Sequence, residues 1–213
     1  MDTGLKTRRY GNSYRNLDRA KTLNMIHILG AGSMGCLWAA HLSHSNSVCF
    51  ISRPQHTTHD SKQFALHQPQ KSKTSTFNIP IVSIAELPDQ QGSTPYHSTQ
   101  EKASQIQTTS NSLQCLDTLL VCTKSYDALN ALTLLKPKLS EQTKIVLFQN
   151  GLGSQYDILA AFPNNPIFAA VSTEGANKQA DTTLIHAGVG QTQLGGLNKP
   201  SHQLLATCHQ TLN

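Results

Sequence analysis

The sequence predicts an α/β fold, a doubly wound and mostly parallel sheet, and three observations predict it. Short apolar runs of strand length alternate with segments of helical spacing along most of the chain. The first run leads straight into the glycine-rich turn of "ILGAGSMG". Polar residues then stand just beyond the ends of two later runs, in "LLVCTKSYD" and "IVLFQNGLGS". Repeated alternation of strand and helix favours parallel strands with helices on both faces.

The elements follow in order. Residues 26–29 form a short, mostly apolar run, the mark of a strand buried on both faces. Residues 33–43 place Met34, Leu37, Trp38 and His41 at helical spacing, and residues 48–52 read as a second strand. Residues 77–84 form a further strand that Pro80 demotes to an edge or a bent position. Residues 88–114 are rich in Gln, Ser and Thr and nearly free of large apolar side chains, which predicts an inserted surface loop. Strands are expected over 118–122, 144–148 and 167–171, and helices over 126–135 and 155–162. The stretch "TTLIHAGVGQTQLGG" carries two short strand-like runs around Gly188 and Gly190 and suggests a closing hairpin. The expected organisation is thus an extension over 1–24, one domain over 25–197, and the start of a linker or helix over 198–213.

Composition excludes several classes. The chain has 213 residues, and its 38% apolar and 14% charged contents are both low for a globular protein. Its +5 net charge sits almost wholly in residues 1–24, where six basic residues face Asp2 and Asp18, leaving +1 for the remainder. That extension lacks apolar periodicity and reads as disordered, an amphipathic transit helix being poorly formed. Met25, directly before the first strand, is a candidate natural start. A near-neutral globular part with no basic, aromatic-interleaved face argues against nucleic-acid binding. The longest apolar runs fall well short of a membrane span, so no membrane partner is expected. Five cysteines (Cys36, Cys49, Cys115, Cys122, Cys208) form no CxxC pair, which fits a reducing, cytoplasmic setting.

The glycine turn is the first functional candidate. A lone GxGxxG is weak evidence, but this one follows a strand and opens a helix, the context the motif requires. Gly30 permits the tight turn, Gly32 lets backbone approach a pyrophosphate, and Gly35 lets helix pack on strand. With Ala31, Ser33 and Met34 these residues form the expected cofactor cradle, phosphates sitting on the helix N-terminus. Sites for NAD carry an acid about 20 residues after the glycines. Here that place reads "FISRPQ", with Ser52 and Arg53 and no carboxylate. A guanidinium fork matches a 2′-phosphate, so NADP(H) is the expected cofactor. Lys124 and Asn150 fall beyond the carboxyl ends of two strands, the edge where ligands of open parallel sheets bind.

Other constellations carry less. His41 and His44, and His56 and His59, are spaced three apart, but no further ligand is evident and no metal site is expected. Cys122 is read as buried filler rather than an activated thiol. Ser125 and Ser154 lack a His–Asp arrangement.

"ILGAGSMG", the base after the second strand, "LLVCTKSYDA", "LFQNGLGS" and "IHAGVGQTQLGG", in this order, resemble the ketopantoate reductase (2-dehydropantoate 2-reductase) family. The resemblance covers residues 25 to about 197, interrupted at the polar insert. It implies a Rossmann-type domain that binds NADPH for reduction of ketopantoate to pantoate, on the way to pantothenate and coenzyme A. Cofactor contacts are implied for Gly30 to Gly35, Arg53, Lys124, Asn150 and, from "STEGAN", Ala176. It also implies a helical second domain with the catalytic lysine and most of the substrate pocket, which would lie beyond Asn213. No catalytic residue is therefore expected within the chain, which reads as truncated and impaired. Its partners would be the 2-oxo acid and either a second copy or a complementing C-terminal fragment. Two alternatives remain open: another NADP-dependent hydroxyacid dehydrogenase, and a non-catalytic NADP-binding module or remnant.

Overall fold

The structure, a computed structural model, describes residues 25–53, 61–90, 116–151 and 153–212. The expected extension, His56, His59, Cys115 and most of the polar insert lie outside these residues. The described elements are β1 (Met25–Leu29), α1 (Ser33–Leu42), β2 (Ser47–Ser52), β3 (Ser61–Gln68), β4 (Lys73–Ser83), β5 (Thr118–Val121), α2 (Ser125–Leu135), β6 (Lys144–Leu147), α3 (Ser154–Ala161), β7 (Ile167–Ser172), β8 (Gly175–Ala180), β9 (Thr183–Gly188), β10 (Thr192–Gly196) and α4 (Lys199–Leu212). They build one sheet in the order β10-β7-β6-β5-β1-β2-β4-β3-β9-β8.

The centre is the expected doubly wound part. Strands β7, β6, β5, β1, β2 and the end of β4 run parallel. Their side chains alternate between two cores. Ile26, Ile28, Phe50, Leu120, Val146 and Phe168 face the core of α1 and α4. Leu29, Ile51, Leu119, Val121, Ile145 and Leu147 face the core of α2 and α3. The apolar runs are continuous because both faces are covered.

Helix α1 explains the rest of the sheet. Gly35, Cys36, Leu37, Trp38, Ala39, Ala40 and Leu42 are all buried, so apolar side chains ring the helix almost completely. A helix of that kind must be covered on more than one side. The central sheet covers one side, and β8 and β9 pack on α1 as well, with Phe64 and Leu66 of β3 and Leu184 of β9 in the same core. Strand β4 carries the sheet across: its end pairs with β2 in parallel, while residues 73–80 pair antiparallel with β3.

Two expectations are corrected here. Of the two positions expected for the strand with Pro80, an edge or a bent one, the edge is overturned: β4 is interior, and Pro80 stands where the strand passes from β3 to β2, an exchange that tolerates its missing N–H. The closing hairpin around Gly188 and Gly190 does not form between those runs. Strand β9 pairs with β8 and β3, whereas β10 pairs with β7 at the opposite end of the sheet. Gly188–Gly190 instead connects the two ends. Strand β3 has no counterpart in the sequence reading, since its face is half polar and its apolar residues, Phe64 and Leu66, are few. Helix α4 docks on β10 and β7. Asn198 anchors its start, its Oδ1 accepting from the backbone N–H groups of Ser201 and Ile167 at 3.2 Å each.

His27, in the middle of β1, is buried and its Nδ1 has no hydrogen-bond partner among the described residues. Burial pushes its pKa from the ordinary 6.5 down to about 4. The unfolded chain therefore takes up this proton first. The stability contribution is full above pH 6.5 and is lost as pH falls toward 4, at about 1.4 kcal/mol per unit and about 3 kcal/mol in all. In urea titrations across this window, His27→Leu is expected to lose stability less steeply than the parent chain. Parallel pH profiles for the two would assign the acid sensitivity to other groups.

Candidate functional site

The glycine turn between β1 and α1 has the geometry that its spacing predicts. Gly30 has φ +107°, the left-handed region that L side chains rarely adopt. A Cβ there would also meet the Thr123 amide nitrogen at 2.8 Å. A Cβ on Gly35 would lie 1.9 Å from the Gly30 carbonyl oxygen, so the first turn of α1 folds directly onto the turn before it. Gly32 differs: it is the N-cap of α1, has φ −79°, and a Cβ on it would meet nothing within 4 Å. Open space at Gly32 is where the motif puts a pyrophosphate. No side chain caps α1 there and its first turn holds no acid, which leaves its backbone N–H groups for an anion.

A cavity of about 290 Å³ opens beside the turn. Gly30, Ala31, Ser52, Arg53 and Thr123 line it, with Ile81, Ile84 and Leu134 as an apolar wall. Thr123 Oγ1 is buried there without a hydrogen-bond partner among the described residues. These features fit a dinucleotide: an apolar slot for a base, a cationic corner at Arg53, and a glycine cradle for phosphates.

Because β1, β2, β5 and β6 are parallel, the residues past their ends share one edge. Arg53 follows β2, Lys124 is the N-cap of α2, and Asn150 follows β6. Lys124 and Asn150 are both exposed. Asn150 lines a second cavity of about 340 Å³ with Tyr156, Leu159, Val171 and Leu197. Gln149, which the sequence reading passed over, ties these ends together. Its Nε2 donates to the carbonyls of Val121 at 2.8 Å and Thr123 at 3.2 Å, holding the ends of β5 and β6 in register. A Gln directly before Asn-Gly at a strand end was the available signal.

Ala176 belongs to a different environment. It lies in β8, partly buried against the core around α1, and does not line the cavity at the glycine turn. Its neighbour Glu174 bonds His186 of β9, and the His41 ring stands 5.6 Å from that of His186. Burial lowers the His41 pKa, with Glu174 acting in the opposite direction. His44 packs its ring on Phe77, and no group of three or more His, Cys, Asp or Glu gathers for a metal among the described residues. Burial raises the Cys122 thiol well above its usual range, so it is protonated filler. No helix among these residues is long and apolar enough to cross a membrane.

Parallel-sheet topology together with a strand–glycine turn–helix unit defines a Rossmann-type α/β domain. The family model "Ketopantoate reductase PanE/ApbA" matches residues 26–199, and the chain belongs to that family. The 2-dehydropantoate 2-reductase of Vibrio cholerae is 27% identical over 173 residues, covering 81% of this chain and 47% of that protein. A probable 2-dehydropantoate 2-reductase of Schizosaccharomyces pombe is 27% identical, covering 85% and 49%. The chain thus spans about half the length of the curated relatives it matches. Among solved structures, a putative 2-dehydropantoate 2-reductase from Enterococcus faecalis shares the fold with a TM-score of 0.64, at 18% identity over 88% of this chain and 53% of that one. D-mandelate dehydrogenase, solved with NADH and anilino(oxo)acetate, scores 0.63 at 18% identity over 89% and 53%.

Proposed function

We propose that the chain is the NADP(H)-binding half of a 2-dehydropantoate 2-reductase, serving pantothenate and coenzyme A synthesis in the cytoplasm. One observation carries this: Gly30 and Ala31 of the glycine turn and Arg53 line one cavity, and the next residue of that turn, Gly32, is the open, uncapped start of α1, in a chain of this family. Bound there, the cofactor would supply the hydride that reduces the 2-oxo carbonyl. The chain's own residues bind and orient it. Backbone N–H groups at Gly32 to Met34 receive the pyrophosphate, Ser52 and Arg53 the 2′-phosphate, and Lys124 and Asn150 lie along the edge leading to the substrate. Ala176, which does not line that cavity, has only the resemblance in its favour. Substrate fixation and proton delivery fall to a C-terminal half, in cis or from another chain. A dimeric ketopantoate reductase from Staphylococcus aureus has the same fold.

A hydroxyacid dehydrogenase of other specificity is the second reading, favoured by the near-equal structural likeness to D-mandelate dehydrogenase. Sequence favours the first, since the curated relatives named above are 2-dehydropantoate 2-reductases. Arg53→Asp tests the cofactor assignment by fluorescence titration. NADPH affinity is expected to fall by about 1 to 3 kcal/mol through loss of a charge-assisted contact, with NADH little changed. Equal affinity of the parent chain for both cofactors would overturn the NADP preference.

A further inference from the structure

Arg53 is not alone in its corner. Asp127, in the first turn of α2, places its Oδ2 3.6 Å from Arg53 Nη2. Both side chains are about half exposed, at 54% and 41%. An ion pair this open adds little to stability. Its consequence falls on whatever approaches Arg53.

We propose that Asp127 is a specificity-determining residue that holds down the preference for NADPH over NADH by competing with the 2′-phosphate for Arg53. This rests on the reading that the glycine turn holds a dinucleotide with its adenosine ribose at Arg53. The 2′-phosphate brings about two negative charges to that guanidinium. It must then share one cation with a carboxylate already in contact, and the two anions repel at close range. The 2′-hydroxyl of NADH meets no such penalty, and a carboxylate at this corner can accept its proton in a hydrogen bond, the part an acid at the end of the second strand plays in NAD sites. The acid missing from β2 is thereby replaced in space by one from α2. Lys124, the N-cap of the same helix and exposed, stands three residues before Asp127 and adds positive potential at the start of α2.

Binding of NADPH, NADH, 2′,5′-ADP and 5′-AMP to the full chain, to Asp127→Asn and to Asp127→Ala tests this by calorimetry at fixed ionic strength. Both variants are expected to bind NADPH and 2′,5′-ADP about three- to tenfold tighter, by removal of one nearby negative charge. NADH and 5′-AMP should bind equally or more weakly. In an Arg53→Gln background the gain from Asp127→Asn should shrink, because the contested cation is gone. If the parent chain binds NADPH but Asp127→Asn leaves it unchanged or weakens it, the competition is refuted while the dinucleotide site stands. If the parent binds none of the four, both fall. Thermal unfolding of each variant, expected within a few degrees of the parent, separates a local charge effect from misfolding.

Discussion

Purified as these 213 residues, the chain is expected to bind NADPH and yet to oxidise it with ketopantoate several orders of magnitude more slowly than a full-length family enzyme. The described residues supply one wall of a cleft, the wall proposed above to hold the dinucleotide. Reduction of a 2-oxo acid also requires the substrate held in contact with the hydride donor and its developing alkoxide stabilised. Positioned proton donors and preorganised dipoles each contribute factors of about 10² to 10⁴ in rate, and they do so in sites that exclude water. Lys124 and Asn150, the polar groups past the ends of β5 and β6, are both exposed. Neither is desolvated in the way such work needs. Cofactor affinity should suffer far less, since the cradle at Gly32 and the corner at Arg53 belong to this chain. Steady-state oxidation at family rates would overturn this, and would point to Lys124 as an acid.

Gly35→Ala is expected to cost about 3 kcal/mol or more in stability, lowering the melting temperature by about 6 to 12 °C, and to abolish cofactor binding. The added methyl would sit 1.9 Å from the Gly30 carbonyl oxygen, and that neighbour is backbone in a turn already held at positive φ. Neither side can yield without moving β1 or α1. Gly32→Ala provides the contrast. Its φ of −79° suits alanine and its Cβ meets nothing within 4 Å, so stability should hold. NADPH affinity should nonetheless fall about tenfold or more, because the methyl occupies the approach of the pyrophosphate. Thermal unfolding and titration of both variants check the pair. A Gly32→Ala chain that binds NADPH normally would mean that the pyrophosphate lies elsewhere.

Most of the central sheet was legible because β1, β2, β5 and β6 are buried on both faces, so their apolar runs need no partner to be recognised. The glycine turn was legible for a related reason: its three glycines stand at fixed spacing within six consecutive residues, directly after a strand and at the start of a helix. Arg53, Lys124 and Asn150 could be placed at one edge because parallel strands put their carboxyl ends together. Strand β3 was not legible. Its burial comes from Phe64 and Leu66 joining the core around α1, and a half-polar strand shows no signal until that core is present. The runs around Gly188 looked like a hairpin because proximity in sequence favours one, yet the long apolar circumference of α1 draws β9 to one end of the sheet while β7 takes β10 at the other.

The chain's own residues thus determined a doubly wound core, a glycine turn between strand and helix, and a base where an acid would mark NAD, each a property of a short segment and its local period. Tertiary structure decided the rest: the wrapping of β3, β8 and β9 over α1, the brace of Gln149 across two strand ends, and the arrival of Asp127 beside Arg53. That last contact reverses part of the sequence argument, since a corner that holds no acid in its own strand holds one in space. Such pairings arise from the packing of separate elements, and electrostatic fields follow distance in space rather than along the chain.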